Sequence, residues 1–127
     1  MARTINNGDE DVTLLERVLQ LHSDFRRRLE PIRVTPLQAA TLLFLSRHEK
    51  AKLKDAAAAL RVRPPTLTEV IKDLVRNRWV SKRRSVTDTR VVHLRLSRRG
   101  NVLIRQIERR VLQVGLDALQ VNATLTD

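Results

Sequence analysis

The apolar positions of this chain keep helical time, pause, and then switch to strand time. From Asp11 to Glu30, Leu15, Val18, Leu19, His22, Phe25 and Leu29 recur at helical spacing, and Pro31 closes the run. This predicts a long first helix over 11–30, with residues 1–10 as a loose polar tail. Thr35-Pro36-Leu37-Gln38 is a strong helix start: Thr35 can cap, Pro36 suits the first helical position, and Gln38 completes a capping box. The helix it opens is expected to reach about His48 and to bury Leu37, Ala40, Thr41, Phe44 and Leu45. A short third helix should cover Leu53–Leu60, where Ala56–Ala59 offers side chains small enough for close helix approach. Arg61-Val62-Arg63-Pro64-Pro65 interrupts the pattern. Beyond it, Leu67, Val70, Ile71 and Leu74 form an i, i+3, i+4, i+7 stripe, which predicts a fourth helix to about Asn77. Its other face displays Thr66, Thr68, Glu69, Lys72 and Arg76. Asn77 is expected to take the left-handed conformation at its end, in place of Arg78.

The period then shortens to two. Val92, Leu94 and Leu96 alternate with Val91, His93 and Arg95. Trp79-Val80 and the basic run Lys82-Arg83-Arg84 precede them, across the turn formers Ser85-Val86-Thr87-Asp88-Thr89. The reading is a two-stranded hairpin with an exposed basic tip. Ser97 should cap a last helix, over about 97–121. Its inner side carries Val102, Leu103, Gln106, Ile107, Arg110, Val111 and Val114, and Gly115 is placed to kink it before Leu116, Leu119 and Val121. No repeat or linker divides the chain. Its 127 residues, 42% hydrophobic and 31% charged, suit one domain with one core.

Composition narrows the chemistry. There is no cysteine, which excludes disulfides, thiolate zinc sites and thiol redox sensing. The only aromatic residues besides histidine are Phe25, Phe44 and Trp79, too few for a base-stacking platform. No run approaches ~18 apolar residues, so no membrane span is expected. The polar N-terminus lacks the apolar segment of a signal peptide, and a cytoplasmic location is expected. No Ser-His-Asp set, H-E-x-x-H, phosphate loop or dinucleotide fingerprint is present, and glycine is scarce, so a non-enzyme without cofactor is expected. His22, His48 and His93 match no metal-ligand spacing.

The charge is more informative. Net charge is +11, and 25 basic residues, mostly arginine, face 14 acids. Between Arg61 and Arg99 twelve basic residues meet only Glu69, Asp73 and Asp88, so this stretch holds nine of the eleven net charges. A basic field gathered on one stretch is the footprint of a polyanion binder. Two short helices joined by a tight turn, the second with a polar face, describe a helix-turn-helix whose second helix enters the DNA major groove. A basic hairpin directly after it makes a winged helix, and an arginine at the hairpin tip suits a narrow minor groove. The expected fold class is therefore mainly α with a small β-hairpin wing.

In this order the elements resemble the multiple-antibiotic-resistance regulator (MarR) family of bacterial winged-helix repressors. Thr35-Pro36-Leu37-Gln38 is similar to that family's "LTxxQ" helix entry, and Leu53-Lys54-Asp55-Ala56-Ala57 through Leu60 to its "eLA…L" helix. Thr66-Leu67-Thr68 to Leu74 resembles the recognition helix. Thr87-Asp88-Thr89-Arg90 resembles the "D-x-R" wing signature, and Leu96-Ser97-Arg98-Arg99-Gly100 the closing "LTxxG". The resemblance runs from Thr35 through Gly100 and more loosely along both flanking helices. It implies a single domain over 1–127, with residues 35–96 as the winged-helix lobe and 11–30 and 97–121 as dimerisation helices. It further implies a homodimer, probing double-stranded DNA at a palindromic operator as a transcriptional regulator, in the role of a repressor. Arg90 would enter the minor groove, and Asp88 would hold the wing. Pro65, Thr66, Thr68, Glu69 and Lys72 would lie on the major-groove surface, with Arg76, Lys82, Arg83 and Arg84 as further DNA contacts. Leu15, Leu19, Val111, Val114, Leu116 and Leu119 would form the dimer interface. A small-molecule effector, of unknown identity, would lie between the dimer helices and the lobe, near His22, Phe25, Arg26, Phe44 and His48. The chain departs from the family at Arg63, where a serine cap is common, at Arg61 and Arg78, commonly glycine, and at Glu69, commonly basic or neutral. A second reading is a winged-helix protein-interaction adaptor with weak, non-specific DNA or RNA binding. Structured RNA as the main target is a third, disfavoured by the deep, narrow A-form major groove.

Overall fold

The computed structural model describes the backbone of residues 2–126 and the side chains of residues 8–118. The chain forms α1 (Ala2–Leu29), a 3-10 turn (Glu30–Ile32), α2 (Pro36–Arg47), β1 (Ala51–Lys52), α3 (Leu53–Leu60), α4 (Pro64–Arg76), β2 (Val80–Arg84), β3 (Val92–Leu96) and α5 (Arg98–Thr126). The segment expected as a tail is the start of α1. Apolar periodicity reports a buried face, so a polar extension of a helix carries no such signal. The long α1 and α5 pack on one another, and α2 touches both of them as well as α3, α4 and β3.

The capping box at α2 forms as its residues dictate. Gln38 N–H donates to Thr35 Oγ1 at 3.1 Å, and Thr35 N–H donates to Gln38 Oε1 at 3.0 Å. The face that α2 buries is shifted from the expected one: Ala39, Thr41, Leu42 and Leu45 are buried, while Leu37, Ala40 and Phe44 are half-buried. Apolar residues surround this helix, so its period selects no face, and neighbours on several sides decide. The buried Thr41 hydroxyl donates to the Leu37 carbonyl at 2.7 Å. Around α2 the core closes with Leu29, Ala56, Ala57, Leu67, Ile71, Leu74, Leu94 and Ile107.

The hairpin is part of a three-stranded antiparallel sheet in the order β1-β3-β2. β2 and β3 pair from Val80↔Leu96 to Arg84↔Val92, and β1 adds Ala51↔Leu94 and Lys52↔His93. A two-residue strand has no periodicity to read, which is why the sequence shows only the hairpin.

Two left-handed arginines close α3 and α4. Arg61 (φ 58 is found at Arg33; here φ is 54) ends α3, its N–H directed at the Ala57 and Ala58 carbonyls. At the end of α4 the left-handed residue is Arg78 (φ 63), not Asn77, which stays helical at φ −80. Arg78 N–H reaches Val75 O at 2.9 Å and Trp79 N–H reaches Leu74 O at 3.0 Å, the paired bonds of a Schellman ending. Asn77 instead turns its side-chain amide onto Asp73 O at 3.0 Å. The base of the hairpin is then locked to α5. Ser97 N–H donates to Trp79 O at 2.9 Å, Ser97 Oγ donates to Arg78 O at 2.6 Å, and Gly100 N–H donates to Ser97 Oγ at 3.0 Å. Gly100 lies so close that a Cβ there would collide with the Trp79 carbonyl oxygen. Val102, expected on the inner side of the last helix, is instead 57% exposed, and Gln106 is exposed beside it. Leu103, Ile104 and Ile107 take the buried face.

Candidate nucleic-acid interface

The buried stripe of α4 is Leu67, Ile71 and Leu74, which turns Pro65, Thr66, Glu69, Lys72 and Arg76 to solvent. Thr68 is half-buried, and its hydroxyl donates to Pro64 O at 2.9 Å. No side chain caps α4 at Arg63. Pro64 and Pro65 have no N–H, so the two prolines remove donors that a cap would otherwise satisfy. The polar face is not purely cationic. Lys72 Nζ lies 3.1 Å from Glu69 Oε1, and Arg76 Nη1 lies 3.0 Å from Asp73 Oδ1, both as i, i+3 pairs. All four side chains are about half or more in water, so each pair is worth only about 0.2–1 kcal/mol and yields readily to a stronger partner.

The wing is built by its own turn chemistry. Ser85 N–H donates to Val91 O at 2.9 Å and Val91 N–H donates to Asp88 O at 3.0 Å, which closes the tip. Ser85 Oγ accepts from the Asp88 N–H at 3.3 Å. The Asp88 carboxylate accepts the Arg90 N–H at 3.0 Å and Arg90 Nε at 3.3 Å. Arg84 Nη1 donates to Thr89 O at 2.8 Å, so this guanidinium also braces the loop. Arg90 keeps its side chain 90% exposed. Lys82, Arg83 and Arg84 are exposed along β2, an edge of the sheet. A basic edge strand resists pairing with other strands.

A cleft of about 410 Å³ lies between α4 and the wing. Thr68 and Ile71 of α4 form one wall, Lys82, Arg90, Val91 and Val92 of the wing the other, and Lys52, Leu53 and Lys54 close the end. Sequence reasoning brought Thr68, Lys82 and Arg90 to this face but missed Lys52 and Lys54. Their charges lie before the basic stretch and ride on β1 and the start of α3, which the fold alone folds back onto the wing. Arg76, Arg83 and Arg84 do not line the cleft.

The residues expected at a dimer interface divide. Leu15, Leu19 and Leu116 are 59%, 62% and 47% exposed in the single chain. Val114 is only 3% exposed, and Val111 packs against the core, so these two serve the protomer's own packing. Leu119 lies outside the residues whose side chains are described. Val12, Leu14, Val18 and Leu112 are further large apolar residues left in solvent on α1 and α5. Phe44 and His48 stack at 4.1 Å, but neither they nor His22, Phe25 or Arg26 line the cleft beside the wing. Among the described residues no group of His, Cys, Asp or Glu is placed to hold a metal, and no helix is long and apolar enough to cross a membrane.

A helix-turn-helix followed by a small antiparallel wing, framed by two long helices, defines a winged-helix protein of the regulator class. Residues 27–107 match the family of the transcriptional regulator SarA/Rot, and the chain belongs to that family, one of regulators and not of enzymes. No curated protein sequence matches the chain. Solved structures share its fold. Wild-type MarR of E. coli, in its apo form, is 24% identical with a TM-score of 0.77, over 90% of this chain and 89% of that one. The transcriptional repressor CouR, bound to a 23-mer DNA duplex, is 22% identical with a TM-score of 0.79, over 90% and 85%. A MepR mutant of S. aureus, bound to an oligodeoxyribonucleotide, is 22% identical with a TM-score of 0.68, over 91% and 93%. The fold expected from the MarR resemblance is thus the fold found.

Proposed function

We propose that the protein is a homodimeric, sequence-specific repressor that binds double-stranded DNA at a palindromic operator, in the bacterial cytoplasm. The observation that carries this reading is the basic cleft between α4 and the wing, with the Arg90 side chain 90% exposed at its rim. α4 enters the major groove, where Thr66, Glu69 and Lys72 face base edges and phosphates. Arg90 enters the adjacent minor groove, held at its backbone by Asp88. Lys82, Arg83, Lys52 and Lys54 contact phosphates and supply salt-dependent affinity. The proteins of like fold seen on DNA, CouR and MepR, support this use of the fold. Dimerisation is supported by the apolar surface that α1 and α5 leave in water, since contiguous exposed apolar patches mark interaction sites. Repression follows from occupying the operator.

Selection from a random duplex library at physiological salt tests the proposal. Enrichment of an inverted repeat, with half-sites about one helical turn apart, is the expected result. Recovery of unenriched sequence overturns the specific regulator and leaves the basic face to non-specific contacts.

A further inference from the structure

The hairpin has two basic ends, and only one of them belongs to the proposed DNA face. Arg90 stands at its tip, and Lys82 lies midway along β2. At its base, where β2 begins and β3 ends, a second groove of about 380 Å³ is lined by Trp79, Arg98, Arg99, Val102, Leu103 and Gln106. Four residues of strand, roughly 13 Å at ~3.3 Å per residue, separate Val80 from Arg84 and so this groove from the tip.

Three features of the groove are left open to solvent within the chain. Val102 holds its side chain 57% in water on a helix whose other apolar residues nearby, Leu103 and Ile104, are buried. Trp79 packs one side on the core and leaves the rest accessible to the groove. Arg98 and Arg99 open α5, so two cations stand at the positive end of the helix dipole, the end that favours acids. No acid lies between Asp88 and Glu108, and among the described residues neither arginine has an ion-pair partner. The arrangement is unfavourable for the free chain and becomes favourable when a negative group arrives. A phosphate backbone would satisfy the arginines but would leave the tryptophan and valine floor unfilled.

We propose that this groove docks an acidic segment of a partner protein, with an apolar side chain set between Trp79 and Val102 and carboxylates held by Arg98 and Arg99. Guanidinium groups bind carboxylates through paired N–H donors, and a buried apolar anchor beside an aromatic ring is the usual centre of such a contact. Because the groove lies at the far end of the hairpin from Arg90, the partner and DNA are held together and do not compete. The regulator thereby recruits a second protein to its operator, a role that rests on the DNA-binding reading above.

Trp79 is the only tryptophan of the chain, so its emission reports on this groove directly. The test is a random 12-residue peptide library displayed on phage, selected on the full chain and counter-selected on Arg98→Glu/Arg99→Glu. That variant reverses the unfavourable charges at the helix start, so its melting temperature should hold or rise. Enriched peptides should carry several Asp or Glu around a Leu, Ile or Phe. Synthetic copies without tryptophan should shift Trp79 emission saturably, bind the double variant at least tenfold more weakly, and bind equally well with saturating random-sequence duplex DNA present. Enrichment of peptides without acids, or no enrichment, overturns the proposal. So does a double variant whose slope of log K against log salt for duplex DNA falls by about two, which would assign both arginines to phosphates. Duplex binding by the unaltered chain is measured separately, so failure of the DNA reading is distinguishable from failure of the groove.

Discussion

One carboxylate oxygen of Asp88 accepts from two donors of Arg90, its backbone N–H and its guanidinium Nε. The backbone bond fixes the turn, whereas the side-chain bond is exposed and readily exchanged for a phosphate or a base. Arg90→Ala should therefore weaken operator binding by about 1–3 kcal/mol, roughly 5- to 150-fold, with the melting temperature unchanged. Unchanged affinity in a fluorescence-anisotropy titration would remove the minor-groove role. Glu69 acts in the opposite sense on α4. Its carboxylate holds Lys72 at 3.1 Å and repels phosphate. Glu69→Gln should raise affinity for random duplex and steepen its salt dependence, by freeing the lysine to displace a counterion of its own. Lys72→Ala should reduce the slope of log K against log salt by about one. Equal slopes for all three proteins would show that Lys72 meets no phosphate. Both acid–base pairs on α4 were hidden in the sequence behind the count of cations. Their spacing of three residues is legible, but spacing alone does not say which rotamer a long side chain adopts.

Where elements meet, the fold depends on contacts that no single element encodes. The hairpin base is held to α5 by Ser97 and by the close approach of Gly100 to Trp79. A Cβ at position 100 meets backbone, which cannot swing aside as a flexible side chain can. Gly100→Ala should lower stability by about 1–3 kcal/mol in urea unfolding. A loss under about 0.5 kcal/mol would mean that the wing and α5 part without cost. Arg61 is the contrary case. A side chain in the left-handed region costs about 1–2 kcal/mol, and glycine gives back part of that gain through its freer unfolded chain. Arg61→Gly should leave stability unchanged or raise it by less than about 1 kcal/mol, and a clear loss would reveal a contact made by the guanidinium. The turn itself was legible, because Arg61-Val62-Arg63-Pro64-Pro65 breaks every helical pattern. The helices α2, α3 and α4 were legible to within a residue or so at each end, since caps, prolines and a four-residue stripe mark them. β1 was not, because two residues show no period. With it went Lys52 and Lys54, whose place in the cleft follows from the pairing of Lys52 with His93 and not from any local signal. The left-handed residue after α4 was misplaced by one for a similar reason. Asparagine tolerates that conformation more easily, but the demand that Trp79 reach the core moves the turn to Arg78.

The whole molecule combines a net charge of +11 with two long helices that leave leucines and valines in water. In the proposed reading the charge gives long-range attraction to DNA, and the apolar surface is what a second copy would bury. If the copies meet through α1 and α5, removing that surface should separate them without unfolding either. Shortening the chain after Arg110 is a poor way to ask, because it also strips Val114 from the protomer's interior and the Asp117 partner from Arg28. Leu15→Glu/Leu19→Glu is cleaner: both side chains are more than half exposed in the single chain, so neither substitution opens a cavity. Two carboxylates on that stripe would be desolvated without partners in an interface, at a cost of several kcal/mol. Sedimentation velocity at micromolar concentration should show a dimer for the unaltered chain and a monomer for the variant. Helical content by circular dichroism should be retained. The same variant should bind an isolated half-site as the unaltered chain does, but lose the added affinity of the full palindrome, since the two heads are no longer linked. A variant that stays dimeric would move the interface off this stripe. A monomeric variant that keeps full palindrome affinity would instead show that the two heads bind DNA independently, and that the apolar surface of α1 serves something other than operator recognition.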